Sequence, residues 1–372
     1  MKGAPLRIAM IGQKGIPATW GGVERHVEEL SARLAQRGHK VTVFVRPHYT
    51  AASGTYRGVR LVRLPSVPTV HLDAITHAAL CTAAALLEPF DVLHYHAVGP
   101  TLLAAVPRCL GRRVVATVHG MDWRRAKWGL GARLALRCGA AAAGGVPHRT
   151  IVVSRELLGC IGRRGRRPVL IPNGVEAAPF RPLRSLKRFG VEKGKFVLWM
   201  GRFVPEKRVE DLIRAFRGME GDVRLLLAGD VPPRDKYAAS VAEAAQGDPR
   251  IVLAGGLYGD DKAEALSNAA LAVVCSEVEG MPIAALEAMA AGRCVVASDI
   301  APMREIVHRG RTGLLYPTGD EAALRRAMEE ALAHPAATAA IGAAAKRAVE
   351  GKYDWGAVAE RTEEVYWEAV FS

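Results

Sequence analysis

The chain has 372 residues, half of them hydrophobic and 24% charged, with a formal net charge of +14. That length and apolar content suit two globular domains and exclude a disordered chain. The charge fits nucleic acid, an anionic membrane surface or an anionic small substrate, and composition does not separate these.

Six cysteines (Cys81, Cys109, Cys138, Cys160, Cys275 and Cys294) show no C-x-x-C and no metal-ligand spacing, and three lie in apolar segments. A reducing cytoplasm is the expected compartment. The first apolar run is too short for a signal peptide and reads as a strand. No stretch reaches about 18 uninterrupted apolar residues, so no transmembrane helix is expected.

In chain order, Leu6 to Ile11 is an apolar strand that runs into the loop GQKGIPATWGG. Helical periodicity follows at Val23, Val27, Leu30 and Leu34, and Gly38 stops it. A glycine-rich loop before a helix brings bare amides to a phosphate, which makes Gly21 and Gly22 candidates for a diphosphate. A simple tight turn explains the same glycines. The pattern is not G-x-G-x-x-G, which speaks against a dinucleotide cofactor.

Lys40 to Val45, Val59 to Leu64 and Asp91 to His94 read as further strands, with a helix at Leu72 to Leu87. Such alternation implies a parallel sheet wound on both sides, with function at the carboxyl ends of its strands. His94 and His96 (DVLHYHAVGP) and His119 (VVATVHGMDW) are expected there. Each is either a structural hydrogen-bonder or a site residue. Gly120 frees the backbone beside His119, the stronger functional candidate; His94 and His96 belong to the acceptor side or the core.

Asp122 to Arg137 (DWRRAKWGLGARLALR) interleaves tryptophan with cations. This suits an anionic membrane surface, or else a solvated basic helix whose tryptophans pack on the core. Arg149 to Ser154 is the next strand, and Gly162 to Pro168 (GRRGRRP) reads as a solvated basic loop with phosphate binding as the alternative. Asn173-Gly174 is a turn signal, and the domain boundary is placed just beyond it.

Phe196 to Met200 opens a second sheet. Arg202 and Lys207 follow it, before a helix with the apolar face Val209, Leu212, Ile213 and Phe216. Two cations at a strand end can neutralise a diphosphate. Strands are expected at Val223 to Ala228, Ile251 to Ala254, Leu271 to Cys275, Cys294 to Ser298 and Gly313 to Tyr316, with helices at Glu321 to Leu332, Ala336 to Val349 and Asp354 to Phe371.

The stretch SEVEGMPIAALEAMAAGRCVVAS (Ser276 to Ser298) holds the densest signal. Glu279 precedes a helix, Pro282 suits its first position, Glu287 lies inside it and Gly292 ends it. The amides from Gly280 through Met281 and Ile283 to Ala284 would face a phosphate between two carboxylates that accept sugar hydroxyls.

This E-G-M-P and L-E-A-M-A arrangement resembles the glutamate-x7-glutamate signature of retaining glycosyltransferases of family 4, which have the GT-B fold. G-R-F-V-P-E-K resembles the family's diphosphate-binding element, and H-G-M-D-W-R-R-A-K-W-G a segment of bacterial rhamnosyltransferase-like members that build surface polysaccharides.

The resemblance implies two Rossmann-like domains facing a cleft. Residues 1–178 would serve the acceptor, residues 179–352 would bind a nucleotide-sugar, and residues 353–372 would form a helix returning to the first domain. It implies transfer of a hexose or deoxyhexose to a hydroxyl of a glycan or lipid-linked acceptor, with retention. His119, Arg202, Lys207 and Glu279 would be catalytic, and Gly21, Gly22, Gly280, Met281, Pro282, Ile283 and Glu287 would hold the donor. The base would lie near Gly255 to Tyr258, with Gly256, Leu257 and Tyr258 as contacts by backbone.

No cofactor and no metal are expected, since the scheme requires none and no D-x-D triplet occurs. No carboxylate stands out as an inverting enzyme's base. The alternatives are a nucleotide-sugar 2-epimerase-like isomerase of the same fold and, more remotely, a basic nucleic-acid-binding protein. The first lacks support from the E-G-M-P block, and the second from any stacking platform. A pyridoxal-dependent phosphorylase would need a buried lysine that the sequence does not offer. The expected partners are the donor, the acceptor and an anionic membrane surface through Asp122 to Arg137, without nucleic acid.

Overall fold

A computed structural model describes residues 4–69, 72–125, 128–161, 166–176, 179–231 and 235–372. They form two compact units, one of Met1–Gly174 with Trp355–Ser372 and one of Val175–Asp354.

The first unit is built on β1 (Arg7–Ile11), β2 (Lys40–Val45), β3 (Gly54–Tyr56), β4 (Val59–Arg63), β5 (Val92–His96), β6 (Val114–Val118), β7 (Arg149–Val152) and β8 (Val169–Leu170). Their order is β3-β4-β2-β1-β5-β6-β7-β8. All pair in parallel except β3 with β4. Central strands such as β1 (RIAMI) and β6 (VVATV) are buried along nearly their whole length, the continuous apolar run that a sheet covered on both faces demands. β3 is an addition to the sequence reading. Arg57 and Gly58 both take positive φ (48° and 81°), the backbone of a tight hairpin turn, and Arg57 is an unusual residue to begin one.

Helix Gly22–Gln36 buries Val27, Leu30 and Leu34 in a core shared with Val358, Val365 and Tyr366 of helix Trp355–Val370. The C-terminal helix is therefore part of the first unit. Trp355 lies against Gly174, where any Cβ would strike its indole, and Arg37 Nε holds Glu363 Oε2 at 2.5 Å.

The mixed indole and cation stretch is not one helix. Asp122–Arg124 is a single tight turn and a separate helix spans Leu130–Gly145 from Gly129 onward. Ala126 and Lys127 lie outside the described residues, as do Gly162 to Gly165 of the basic loop.

The second unit contains β9 (Phe196–Met200), β10 (Arg224–Ala228), β11 (Ile251–Leu253), β12 (Leu271–Val274), β13 (Cys294–Ser298) and β14 (Leu314–Tyr316) in the order β11-β10-β9-β12-β13-β14, all parallel. Helix Val209–Arg217 buries Val209, Leu212, Ile213 and Phe216 against it. Each such side chain stabilises the fold by about 1.5–3 kcal/mol.

Strand order reverses direction at β1 and β5 in the first unit and at β9 and β12 in the second. Adjacent crossovers leave opposite faces there, so the strand ends open into a crevice. Those four strand ends carry most of the expected site residues.

Candidate active site

In the second unit the chain leaves β9 through Gly201 to Val204 and makes a tight turn at Pro205–Lys207. Arg208 closes it in the left-handed region (φ 49°, ψ 42°). This turn is fastened to the loop after β12. The Glu277 amide donates to the Glu206 carbonyl at 2.9 Å, the Cys275 thiol donates to the Lys207 carbonyl at 3.0 Å, and Arg208 reaches Glu277 at 3.1 Å. Lys207 Nζ is thereby brought onto the carboxylate of Glu279, and both are mostly buried. Two residues 72 apart in sequence form one ion pair.

The helix after Glu279 spans Ile283–Ala290, so Pro282 caps it in extended geometry instead of filling its first position. Among the described residues no side chain caps this helix start, and uncapped first-turn amides are suited to an anion. Glu287 lies inside the helix, where its Oε1 accepts from Lys262 Nζ at 2.6 Å; Lys262 belongs to helix Gly259–Asn268. Lys262 was not anticipated from sequence. Only the packing of these two helices, 25 residues apart at the pair, makes it visible.

Arg202 is half-exposed and makes no ion pair or hydrogen bond among the described residues. It is a cation not committed to a carboxylate. At the expected base contacts, one backbone group is engaged within the chain. The Gly256 amide donates to Asp230 Oδ1 at 2.8 Å and the Tyr258 hydroxyl to Asp230 Oδ2 at 2.6 Å, so this backbone group already has a partner. Leu257 is buried and the Tyr258 ring exposed.

In the first unit Gly21 takes φ 106°, and a Cβ there would run into the Glu24 carboxylate. Glu24 Oε1 accepts from the Lys14 amide at 3.1 Å, so the glycine loop closes on a carboxylate of the chain itself. Gly22 begins the helix.

At the ends of β5 and β6 four imidazoles gather. His94 is in mid-strand, with its ring nitrogens at 2.7 Å from Tyr366 Oη and from Thr117 Oγ1. His96 ends β5, with Nδ1 at 3.0 Å from His119 Nε2 and Nε2 at 3.4 Å from Met10 Sδ. His94 and His96 are both wholly buried, which places them in the core. His119 stands just past β6 and is half-buried. His26, from helix Gly22–Gln36, lies edge-on to His119 with ring centres 4.7 Å apart and holds Asn173 Oδ1 at 2.9 Å through Nδ1.

Burial pushes these rings toward the neutral form: His26 down to about 4, His94 down to about 3, His96 and His119 well below the usual histidine range. Ring nitrogens of His26, His96 and His119 lie within 4.8 Å of one another and could hold a metal ion. Their sequence positions gave no hint of this. A hydrogen bond accounts for the approach of His96 to His119 without one.

Residues 20–178 match the Glycosyltransferase Family 4 family, and residues 185–348 match Glycosyl transferases group 1. The chain is 30% identical over 385 residues to the phosphatidyl-myo-inositol mannosyltransferase of Mycobacterium leprae, covering 97% of this chain and 96% of the relative. The chain belongs to glycosyltransferase family 4. The enzyme also superposes on sucrose-phosphate synthase from Thermosynechococcus elongatus (TM-score 0.84, 24% identity, 98% of each chain). A second match is Anabaena HepE in complex with UDP and glucose (TM-score 0.80, 18% identity, 97% of this chain and 99% of that one). These superpositions identify the fold of the glycosyltransferase as GT-B, with two Rossmann-like parallel sheets. No helix among the described residues is long and apolar enough to cross a membrane.

Proposed function

We propose that this glycosyltransferase moves a hexose or deoxyhexose from a nucleotide-diphosphate sugar to a hydroxyl of a glycan or lipid-linked acceptor, with retention and without a metal. The observation that carries the reading is the second unit's strand-end cluster. Lys207 meets Glu279 there, an uncapped helix start follows Glu279, Glu287 lies within that helix, and Arg202 stands in the loop after β9. Cations and amides suit a diphosphate; carboxylates suit hydroxyls.

Arg202 and Lys207 stabilise charge building on the departing diphosphate, whose own oxygen takes the acceptor proton. Glu279 orients the sugar and Lys207 together, Glu287 holds the ribose, and Gly280 to Ile283 supply the amides. His119 orients the donor sugar. Gly21 and Gly22 form the first unit's contribution to the donor. A mannosyltransferase among the relatives and a UDP and glucose complex among the neighbours favour hexose chemistry. The net charge of +14 favours anionic substrates and an anionic membrane surface next to the Asp122 to Arg137 segment. A cytoplasmic enzyme working at the inner membrane face follows from that reading.

Thermal unfolding against a panel of nucleotides and nucleotide-sugars, with chelator present, tests it. A ligand at 100 times its dissociation constant adds about 2.7 kcal/mol to the folded state. One nucleoside diphosphate series is expected to stabilise the wild type and to lose its effect in Arg202→Ala and Glu287→Ala. Stabilisation by nucleic acid alone would sink the proposal.

A further inference from the structure

The histidine cluster of the first unit has a hydrogen-bond polarity that fixes what His119 can offer a ligand. His96 Nε2 faces Met10 Sδ at 3.4 Å, and a thioether has no hydrogen to give. The N–H at that contact therefore belongs to His96. A neutral imidazole carries a single N–H, so Nδ1 of His96 is a lone pair. At the 3.0 Å contact His119 Nε2 must then be the donor, which leaves His119 with a lone pair at Nδ1.

The reverse polarity would set the sulfur lone pairs against a bare nitrogen in a site closed to water. A second proton on either ring is also disfavoured. His96 is wholly buried, its ring centre is 4.1 Å from that of His94, 5.3 Å from His119 and 5.9 Å from His26, and no carboxylate among the described residues contacts it. His119 Nδ1 has no hydrogen-bond partner among the described residues, and the side chain is half-exposed where the other three rings are buried.

We propose that Met10 and His96 are positioning residues that hold His119 as its Nε2–H tautomer, so that Nδ1 meets a ligand as a hydrogen-bond acceptor selective for a hydroxyl. The inference rests on the reading of His119 as a donor-sugar contact and narrows it. His119 takes a hydrogen from a sugar hydroxyl; it does not donate to the diphosphate or to charge developing on oxygen. A sugar that turns a carboxylate or an ether oxygen toward this nitrogen is disfavoured, because two acceptors would meet.

The test is a nuclear magnetic resonance correlation of ring nitrogens with ring protons in the full chain carrying isotope-labelled histidine. In the wild type, His96 and His119 are each expected at the limiting shifts of a pure Nε2–H tautomer. Met10→Leu, close in volume, removes the acceptor and should move both toward tautomer-averaged values. A role for Met10 in packing alone would leave them unmoved and would overturn the assignment. The wild-type spectrum decides without any variant: an Nδ1–H signal or averaged shifts at His119 overturns the proposal. UDP-glucose, ADP-glucose and GDP-mannose are then added in turn. A pure Nε2–H His119 whose resonances none of them shifts confirms the tautomer and removes the sugar contact proposed above, so the two failures are distinguishable.

Discussion

The two units place chemistry at the same topological point and make it electrostatically opposite. Around β9 and β12 the side chains are charged and, Arg202 apart, already compensated: Lys207 on Glu279, Lys262 on Glu287, Arg208 on Glu277 and Asp211. Around β5 and β6 they are four imidazoles that burial keeps neutral. On the proposed reading, a diphosphate entering the charged site would share Lys207 with its resident carboxylate, so that part of its binding would be an exchange of partners. On the same reading, a sugar meeting the imidazoles would displace no ion pair and would be read by hydrogen-bond direction. Affinity is thus expected to reside in the second unit and orientation in the first.

The sharpest test of that division is to remove the charges. Arg202→Ala and Lys207→Ala should each lower kcat by roughly 10² or more, the scale of one lost preorganised donor. Their stabilities should part company. Arg202 has no partner to abandon, so thermal unfolding should stay within about 0.5 kcal/mol of wild type. Lys207→Ala leaves Glu279 in a mostly buried site and should cost more. Equal stability losses would show that Arg202 is structurally engaged.

Acidification should break the first unit before the second. His26 is held down to about 4 against an ordinary 6.5, and His94 to about 3. Below pH 6.5 the unfolded chain takes up protons that the folded chain refuses, so stability falls as pH falls and recovers as it rises. Between about pH 6.5 and 4.5, above the carboxylate range, each such ring withdraws roughly 2–3 kcal/mol. Hydrogen exchange should accelerate in β5 and β6 while β12 and β13 hold. Equal acceleration in both sheets would refute the neutral cluster.

Glu287→Gln should weaken donor binding about ten-fold or more, the scale of one hydrogen bond to a charged group. Stability should fall as well, since Gln leaves the mostly buried Lys262 ammonium without its carboxylate. Isothermal titration and unfolding on the same sample separate the two. Unchanged affinity would take Glu287 out of the site.

Strands β2, β9 and β13 keep the bounds that apolar runs and flanking glycines imply, because a strand buried on both faces writes its whole length in apolar residues. The Glu279 to Gly292 block is similarly legible: a loop, a helix and a stop are local chemistry. Partners fixed by tertiary contact were not legible. Lys262 touches Glu287 across 25 positions, Tyr366 touches His94 across 272, and His26 lies edge-on to His119. Nothing in their neighbourhoods distinguishes them from core or surface residues. The backbone at Ala97 was equally hidden, since a strand ending in histidine and alanine signals no positive φ.

That backbone supports the smallest effect. Ala97 sits at φ 70°, ψ 155°, a region essentially reserved for glycine, directly after His96. Its amide donates to the Thr117 carbonyl at 3.0 Å, and a Cβ at Gly12 would strike the His96 carbonyl, so the surroundings leave this peptide no other path. Ala97→Gly removes strain of about 1–3 kcal/mol and returns up to about 1 kcal/mol of chain entropy to the unfolded state. The net gain should be about 1 kcal/mol, a rise in Tm of roughly 2–4 °C for a unit of this size. A looser peptide also lets His96 drift from Met10, so kcat/KM should fall by a factor of about two or three while Tm rises. Opposite signs in the two measurements mark strain that holds the imidazole in place, whereas a fall in both would mean that the alanine methyl contributes packing and the backbone stores nothing.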